Sequence, residues 1–391
     1  MKPKHLFILS VVTVAVAGAA IYSVHMQSEN TEAVQEAQPL FPDLKGEINT
    51  VDEITVQNHD GMFSVKRNAD GNWVVPTKYD YPANFSIVKT VVVGIADMKT
   101  IEAKTDDPKL FGELGLLDPT ADGAKSTLVT LQSGGKAVAS VLFGERKYTP
   151  GAASSRIYVR KPDGGRAWRV DNAPDIEADV KKWMVNDTVA LSRERVMDVE
   201  VSGPDRPTLV VYRDSVDEKN FQIRDMPKGA KLEYPSAPNA VAGALSFISF
   251  DDVKPVGDVD FSKAYKIRFR TFDGLEVTAY LVRSGMDNWL KLEAEAVPGA
   301  STPEASDTTD KSADATGGDV ANNKDAKDAE AKKAKKPDIP AEAKAINVRV
   351  SAWAYKVPDY KAADLTKKMS DLLEKPKKDD AKGSKSAPSG T

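Results

Sequence analysis

Polar and apolar residues alternate along this chain in short runs, and twice in each half the rhythm switches to a helical spacing. Ile54 and Val56, then Phe63, Val65 and Arg67 keep the period of two expected of strands, and Trp73-Val74-Val75 reads as the next strand. Asn58-His59-Asp60-Gly61 and Asn68-Ala69-Asp70-Gly71 interrupt them as turns, which predicts a β-meander. After Tyr81-Pro82 the spacing changes. Asn84 is placed to cap a helix, and Phe85, Val88, Val91, Val92, Ile95 and Met98 mark its buried face. Two hairpins follow, 127–131 with 137–143 around Ser133-Gly134-Gly135, and 157–160 with 167–170 around Pro162-Asp163-Gly164-Gly165. A helix over about 174–185 closes the series, with Ile176, Val180, Trp183 and Met184 apolar.

The second half retraces this order. Val199 and Val201 answer Ile54 and Val56, Leu209-Val210-Val211-Tyr212-Arg213 answers 63–67, and Phe221-Gln222-Ile223 answers Trp73-Val74-Val75. Tyr234-Pro235 precedes a helix expected over 239–250. Residues 265–270 and 276–282 flank Phe272-Asp273-Gly274, and Trp353-Ala354-Tyr355 is followed by a terminal helix expected over 361–373. The fold class is therefore α+β, with two tandem, internally repeated modules of antiparallel sheet with helices, over 46–190 and 191–373. The copies differ at one hairpin, where residues 297–345 replace a short turn. That stretch carries no aromatic residue and is too polar to bury a core, so disorder is expected there and in the tail 374–391. Its acids come early and Lys332, Lys333, Lys335 and Lys336 come late. It reads as a loop insertion, with a binding segment for an envelope partner as the alternative.

Lys2, Lys4 and His5 precede an apolar run over residues 6–24. As a helix this run is about 28 Å long, enough for a bilayer core. Glu29, Glu32 and Glu36 follow it, so the positive-inside rule puts the N-terminus in the cytoplasm and the body outside. Residues 1–28 read as a cytoplasmic stub and single-pass membrane anchor, and 29–45 as a tether. A signal peptide cleaved after Ala15-Val16-Ala17 or Ala17-Gly18-Ala19 is the alternative, and it exports the body just the same.

Catalytic vocabulary is sparse. The absence of cysteine excludes disulfides and thiolate chemistry. A mixed-sign net charge of -4 gives no basic footprint for nucleic acid. Three histidines, His5, His25 and His59, leave a triad or a histidine metal site little to draw on. Ser86-Ile87-Val88-Lys89 has the S-x-x-K spacing of penicillin-binding enzymes, but neither S-D-N nor K-T-G follows. The pairs Asp106-Asp107 and Asp251-Asp252 are sequence neighbours, whereas acid–base work needs carboxylates held across a cleft. No glycine-rich phosphate loop occurs. No catalytic, cofactor or metal residue is therefore assigned, and a non-enzymatic protein is expected. Trp73, Trp168, Trp289 and Trp353 are the candidate binding surface, with packing as their competing meaning.

With these residues laid out, the chain resembles a bacterial envelope family, domain-of-unknown-function family 4340. The likeness lies in Ile54-Thr55-Val56, residues 63–67, Trp73-Val74-Val75, Leu114-Gly115-Leu116-Leu117-Asp118-Pro119, Leu142-Phe143-Gly144-Glu145, Ile157-Tyr158-Val159 and Val357-Pro358-Asp359-Tyr360. The resemblance implies one N-terminal membrane helix in the bacterial inner membrane and a β-rich periplasmic body. It also implies an accessory role beside ABC-transporter components, with a transporter or envelope protein as partner, and supplies no catalytic residues. A glycan or cell-wall binding module using exposed aromatics is the alternative function, and an envelope hydrolase a third.

Overall fold

The computed structural model describes residues 37–147, 156–163, 165–204, 206–297 and 337–374. The expected anchor over 6–24, residues 298–336 of the insertion and the tail from 375 lie outside the described residues. No described helix is long and apolar enough to cross a membrane. The chain divides into two compact units, Met1–Met184 and Val185–Thr391.

The first unit is one antiparallel sheet of ten strands: β1 (Gln38–Pro39), β2 (Glu53–Asn58), β3 (Gly61–Arg67), β4 (Trp73–Val75), β5 (Tyr81–Pro82), β6 (Lys99–Ala103), β7 (Thr127–Ser133), β8 (Lys136–Lys147), β9 (Arg156–Arg160) and β10 (Trp168–Asp171). Their order across the sheet is β1-β6-β10-β9-β8-β7-β2-β3-β4-β5. The β7–β8 turn uses Gly134 and Gly135 at φ 57° and 77°, left-handed values that glycine adopts without steric cost. The helix Phe85–Asp97 buries Val88, Val91, Val92 and Ile95. Its cap is as expected, with Asn84 Oδ1 accepting from the Ser86 amide at 3.1 Å. Phe85 departs from the expected face and is 60 % exposed. Helical side chains lean toward the N-terminus, so a first-turn residue leans past the end of the helix.

The link from β6 to β7 must pass β10, β9 and β8, which lie between them. Phe111 and Leu116 from this link form a buried cluster with Leu142 and Ala167, and Leu128 and Tyr158 pack against it. Leu142 and Leu128 are opposite one another on the sheet, and their neighbours Val141 and Val129 face the other way. This unit therefore covers part of both faces. Gly144 is needed for the close approach, since a Cβ there would lie 2.4 Å from the Leu114 carbonyl oxygen.

The second unit has eight strands: β11 (Val196–Gly203), β12 (Arg206–Tyr212), β13 (Gln222–Ile223), β14 (Asp252–Pro255), β15 (Tyr265–Thr271), β16 (Leu275–Ser284), β17 (Asp287–Ala296) and β18 (Trp353–Val357). Among the described residues their order, β13-β12-β11-β15-β16-β17-β18-β14, repeats that of β4-β3-β2-β7-β8-β9-β10-β6 strand for strand. The duplication expected from the sequence is thus a duplication of topology.

The helices need correction. The one expected over 174–185 is only Val180–Trp183, because Arg146 Nη2 donates to the Pro174 carbonyl at 3.1 Å and Trp183 Nε1 to that of Glu177 at 2.8 Å. The one expected over 239–250 is only Asn239–Ala242. There the Leu191 amide takes the Leu245 carbonyl at 3.0 Å, and Ser246 Oγ donates to the Leu191 carbonyl at 3.1 Å. The terminal helix is Asp359–Leu365, with a short 3-10 turn at Met369–Asp371. Conversely, the insertion expected over 297–345 ends sooner. A helix runs over Ile339–Val350, capped by Asp338 and burying Ile339, Ala343, Ile346 and Val350. Asn347 clamps it to β17, donating to the Ala294 carbonyl at 2.6 Å and accepting from the Ala294 amide at 2.9 Å.

Arg195 ties the start of this helix to the β15–β16 turn. It reaches Glu342 with two bonds of 2.7 and 2.9 Å and Asp273 with one of 2.8 Å. The Glu342 bonds hold the guanidinium more firmly protonated than usual. Burial pushes the Asp273 carboxyl up, but bonds from Thr271 and Arg195 outweigh it and hold the carboxyl below its ordinary value. Glu342→Gln is expected to lower stability by about 1 kcal/mol in chemical denaturation, the scale of a partly exposed ion pair. Because the folded Asp273 pKa is depressed, its contribution is complete above the unfolded value and is lost as pH falls through the folded one. Stability measured from about pH 5 down to about pH 2 should therefore fall less steeply in Asp273→Asn than in the parent.

Candidate functional site

A groove of about 450 Å³ opens on the first unit beside the early chain. Its flanks are Phe41, Pro42 and Leu44, residues 137–140 of β8, and Lys161, Pro162 and Asp163. A second hollow of about 250 Å³ shares Lys161 and is lined by Thr100, Arg166 and Trp168 among others.

The segment expected to be a tether over 29–45 is built into the fold at its end. β1 pairs with β6, and the Leu40 amide donates to the Met98 carbonyl at 3.0 Å. Leu40, Phe41 and Leu44 are buried, so their apolar area holds this stretch down. Opposite, the Lys161 ammonium lies 5.0 Å from the centre of the Phe41 ring, a cation–π contact.

Arg160 fixes the turn behind Lys161. It is 3 % exposed and lies 4.7 Å over the Phe111 ring. It donates to the Leu116 carbonyl at 2.8 Å, to the Lys161 carbonyl at 3.2 Å and to Asp118 Oδ1 at 2.6 Å. A buried guanidinium is tolerable only when so fully bonded. Arg166 donates to Asp106 Oδ2 at 2.9 Å, and that bond holds the Asp106 carboxyl below its ordinary range.

The candidate residues from the sequence scatter. Trp73 and Trp289 are buried at 7 % and 3 % exposure. Trp168 and Trp353 are half-buried, and only Trp168 lines a hollow named above. Trp289 is opposite Lys356 and Leu290 opposite Tyr355, so Trp289 and Trp353 fall on opposite faces of their sheet. The four form no exposed row. Ser86 and Lys89 are exposed on the first turn of their helix, with the Ser86 amide held by its cap. Asp107 caps a 3-10 turn through the Lys109 amide, and His59 is an exposed turn residue. Among the described residues no cluster of three or more His, Asp or Glu could hold a metal. Reading the sequence missed Phe41, Arg160 and Lys161. Only the covering of the outer sheet face explains Arg160, and no local period signals that.

Residues 73–268 match the family model described as Domain of unknown function (DUF4340). This chain belongs to that family. The match starts at β4 of the first unit and ends within β15 of the second, so the DUF4340 region crosses both copies. No curated protein and no solved structure matches.

For this DUF4340 chain, Arg160→Met should remove the guanidinium while keeping its apolar stem, leaving the Leu116 carbonyl without its donor. A loss of roughly 2–4 kcal/mol in urea unfolding is expected. Asp118→Asn, at an exposed partner, should cost under about 1 kcal/mol in the same measurement.

Proposed function

We propose that this DUF4340 member is a non-enzymatic accessory protein of an ABC-type transporter or envelope assembly. Residues 6–24 anchor it in the bacterial inner membrane, with the N-terminus in the cytoplasm and the body in the periplasm. The observation that carries the binding part is the groove beside Phe41 and β8, which sets Phe41, Leu44 and Val138 beside the polar Asp43, Lys161 and Asp163. Lys161 there stacks on a ring and the Ser140 hydroxyl faces that of Thr130 at 3.3 Å, so neither is set against a catalytic partner. The anchor reading rests on the apolar run and the lysines before it, and the transporter reading on what the family resemblance implies.

A glycan-binding module is the second reading. Trp168 favours it, half-buried beside a hollow that also has Gln38 and Thr100 on its wall, an arrangement suited to stacking a sugar ring.

Crosslinking of the full chain in its own membranes, followed by affinity purification, is expected to recover transporter subunits. Recovering none, or as many after removal of residues 1–28, would sink the transporter proposal.

A further inference from the structure

The two copies differ beside one strand. In the second unit β16 pairs along its whole length with β17, from Leu275 opposite Ala296 to Ser284 opposite Asp287. In the first unit β8 pairs with β9 only over its later part, from Leu142 opposite Arg160 to Lys147 opposite Arg156. Earlier along β8, residues 136–141 have β7 on one side and, among the described residues, no strand on the other. β9 stops at Arg160, and the chain turns away through Pro162 and Asp163 into β10.

The pair Leu142–Arg160 corresponds to Tyr280–Lys291, because the row Val56, Val129 and Val141 across β2, β7 and β8 matches the row Val201, Ile267 and Ala279 across β11, β15 and β16. What the first unit lacks is therefore the counterpart of Leu292-Glu293-Ala294-Glu295-Ala296. The groove of about 450 Å³ lies at that vacancy, with residues 137–140 as one wall and Phe41, Pro42 and Leu44 among its other lining residues. Open edges are usually blunted by Lys, Pro or a bulge that turns the strand away. Here Val138 is a bulge, with Ala137 opposite Gln132 and Ala139 opposite Leu131, but the edge Ala137-Val138-Ala139-Ser140 carries no charge and no proline. Ala137 is exposed and Val138 half-buried.

We infer that this edge of β8 binds an extended segment of a partner polypeptide by antiparallel strand addition. The occupied copy specifies the chemistry. Alternate residues of the incoming strand are apolar, as Leu292 and Ala294 are, and face the side of Ala139; those between are polar and face solvent. Backbone hydrogen bonds to β8 supply affinity, and the Phe41 side of the groove selects the alternate side chains. The inference deepens the binding-protein reading and rests on it.

The test uses the full chain in detergent micelles and a synthetic peptide with the sequence of residues 289–296. Hydrogen exchange is followed at residues 136–141. Addition of the peptide is expected to slow exchange there by at least about tenfold, a gain of about 1.4 kcal/mol in protection. A peptide carrying Leu292→Pro and Ala294→Pro should leave it unchanged. No slowing in excess peptide overturns the inference. So does a free protein in which 137–141 already exchange as slowly as 127–131, because the edge is then covered by the chain itself. Peptide protection without transporter capture refutes the partner class alone, and capture without protection refutes strand addition alone.

Discussion

Each unit is closed by one pairing between strands far apart in the chain. β6 joins β10 in the first unit, and β14 joins β18 in the second. Every intervening strand then has a defined place, and the links from β6 to β7 and from β14 to β15 must run past three strands. Such a closure costs chain entropy, but the cost rises only with the logarithm of loop length, about 0.6 kcal/mol per doubling. The second unit therefore carries a long polar stretch inside its closing loop with little thermodynamic penalty. The first unit uses its longer crossover differently, laying Phe111 and Leu116 on the sheet and holding them there with Arg160.

The strands were legible in the sequence because their determinants are local. Period-two runs such as Ile54 and Val56, and the paired glycines 134 and 135, announce themselves within a few residues. The duplication was legible for the same reason. Two of the helices were not, because distant donors override them: Arg146 takes the Pro174 carbonyl, and Leu191 takes that of Leu245. The helix Ile339–Val350 hid behind a low-complexity stretch, although Asp338, Pro340 and the spacing of its buried residues mark a capped amphipathic turn.

The candidate site was the least legible part, and the reason is geometric. A groove made where a strand ends early has no sequence motif, since one wall is a strand and the rest comes from two distant stretches, residues 41–44 and 161–163. The tryptophans show the opposite case. Trp289 has outward parity beside Lys356, yet Lys254 stands 4.5 Å over its ring and only 3 % of it meets solvent. Parity predicts a face; whether that face stays open depends on what crosses it.

The Arg195 cluster gives the insertion a further property. On one side of it the Val297 amide donates to the Gly274 carbonyl at 2.9 Å, and on the other Glu342 is held through Arg195 to Asp273 of the same turn. Both borders are thus riveted to one corner of the sheet. Chain can be added, shortened or cut between these rivets without altering the strands on either side. The corner is thus a splice point, which sets where the inserted chain leaves the sheet and where it returns, whatever its length.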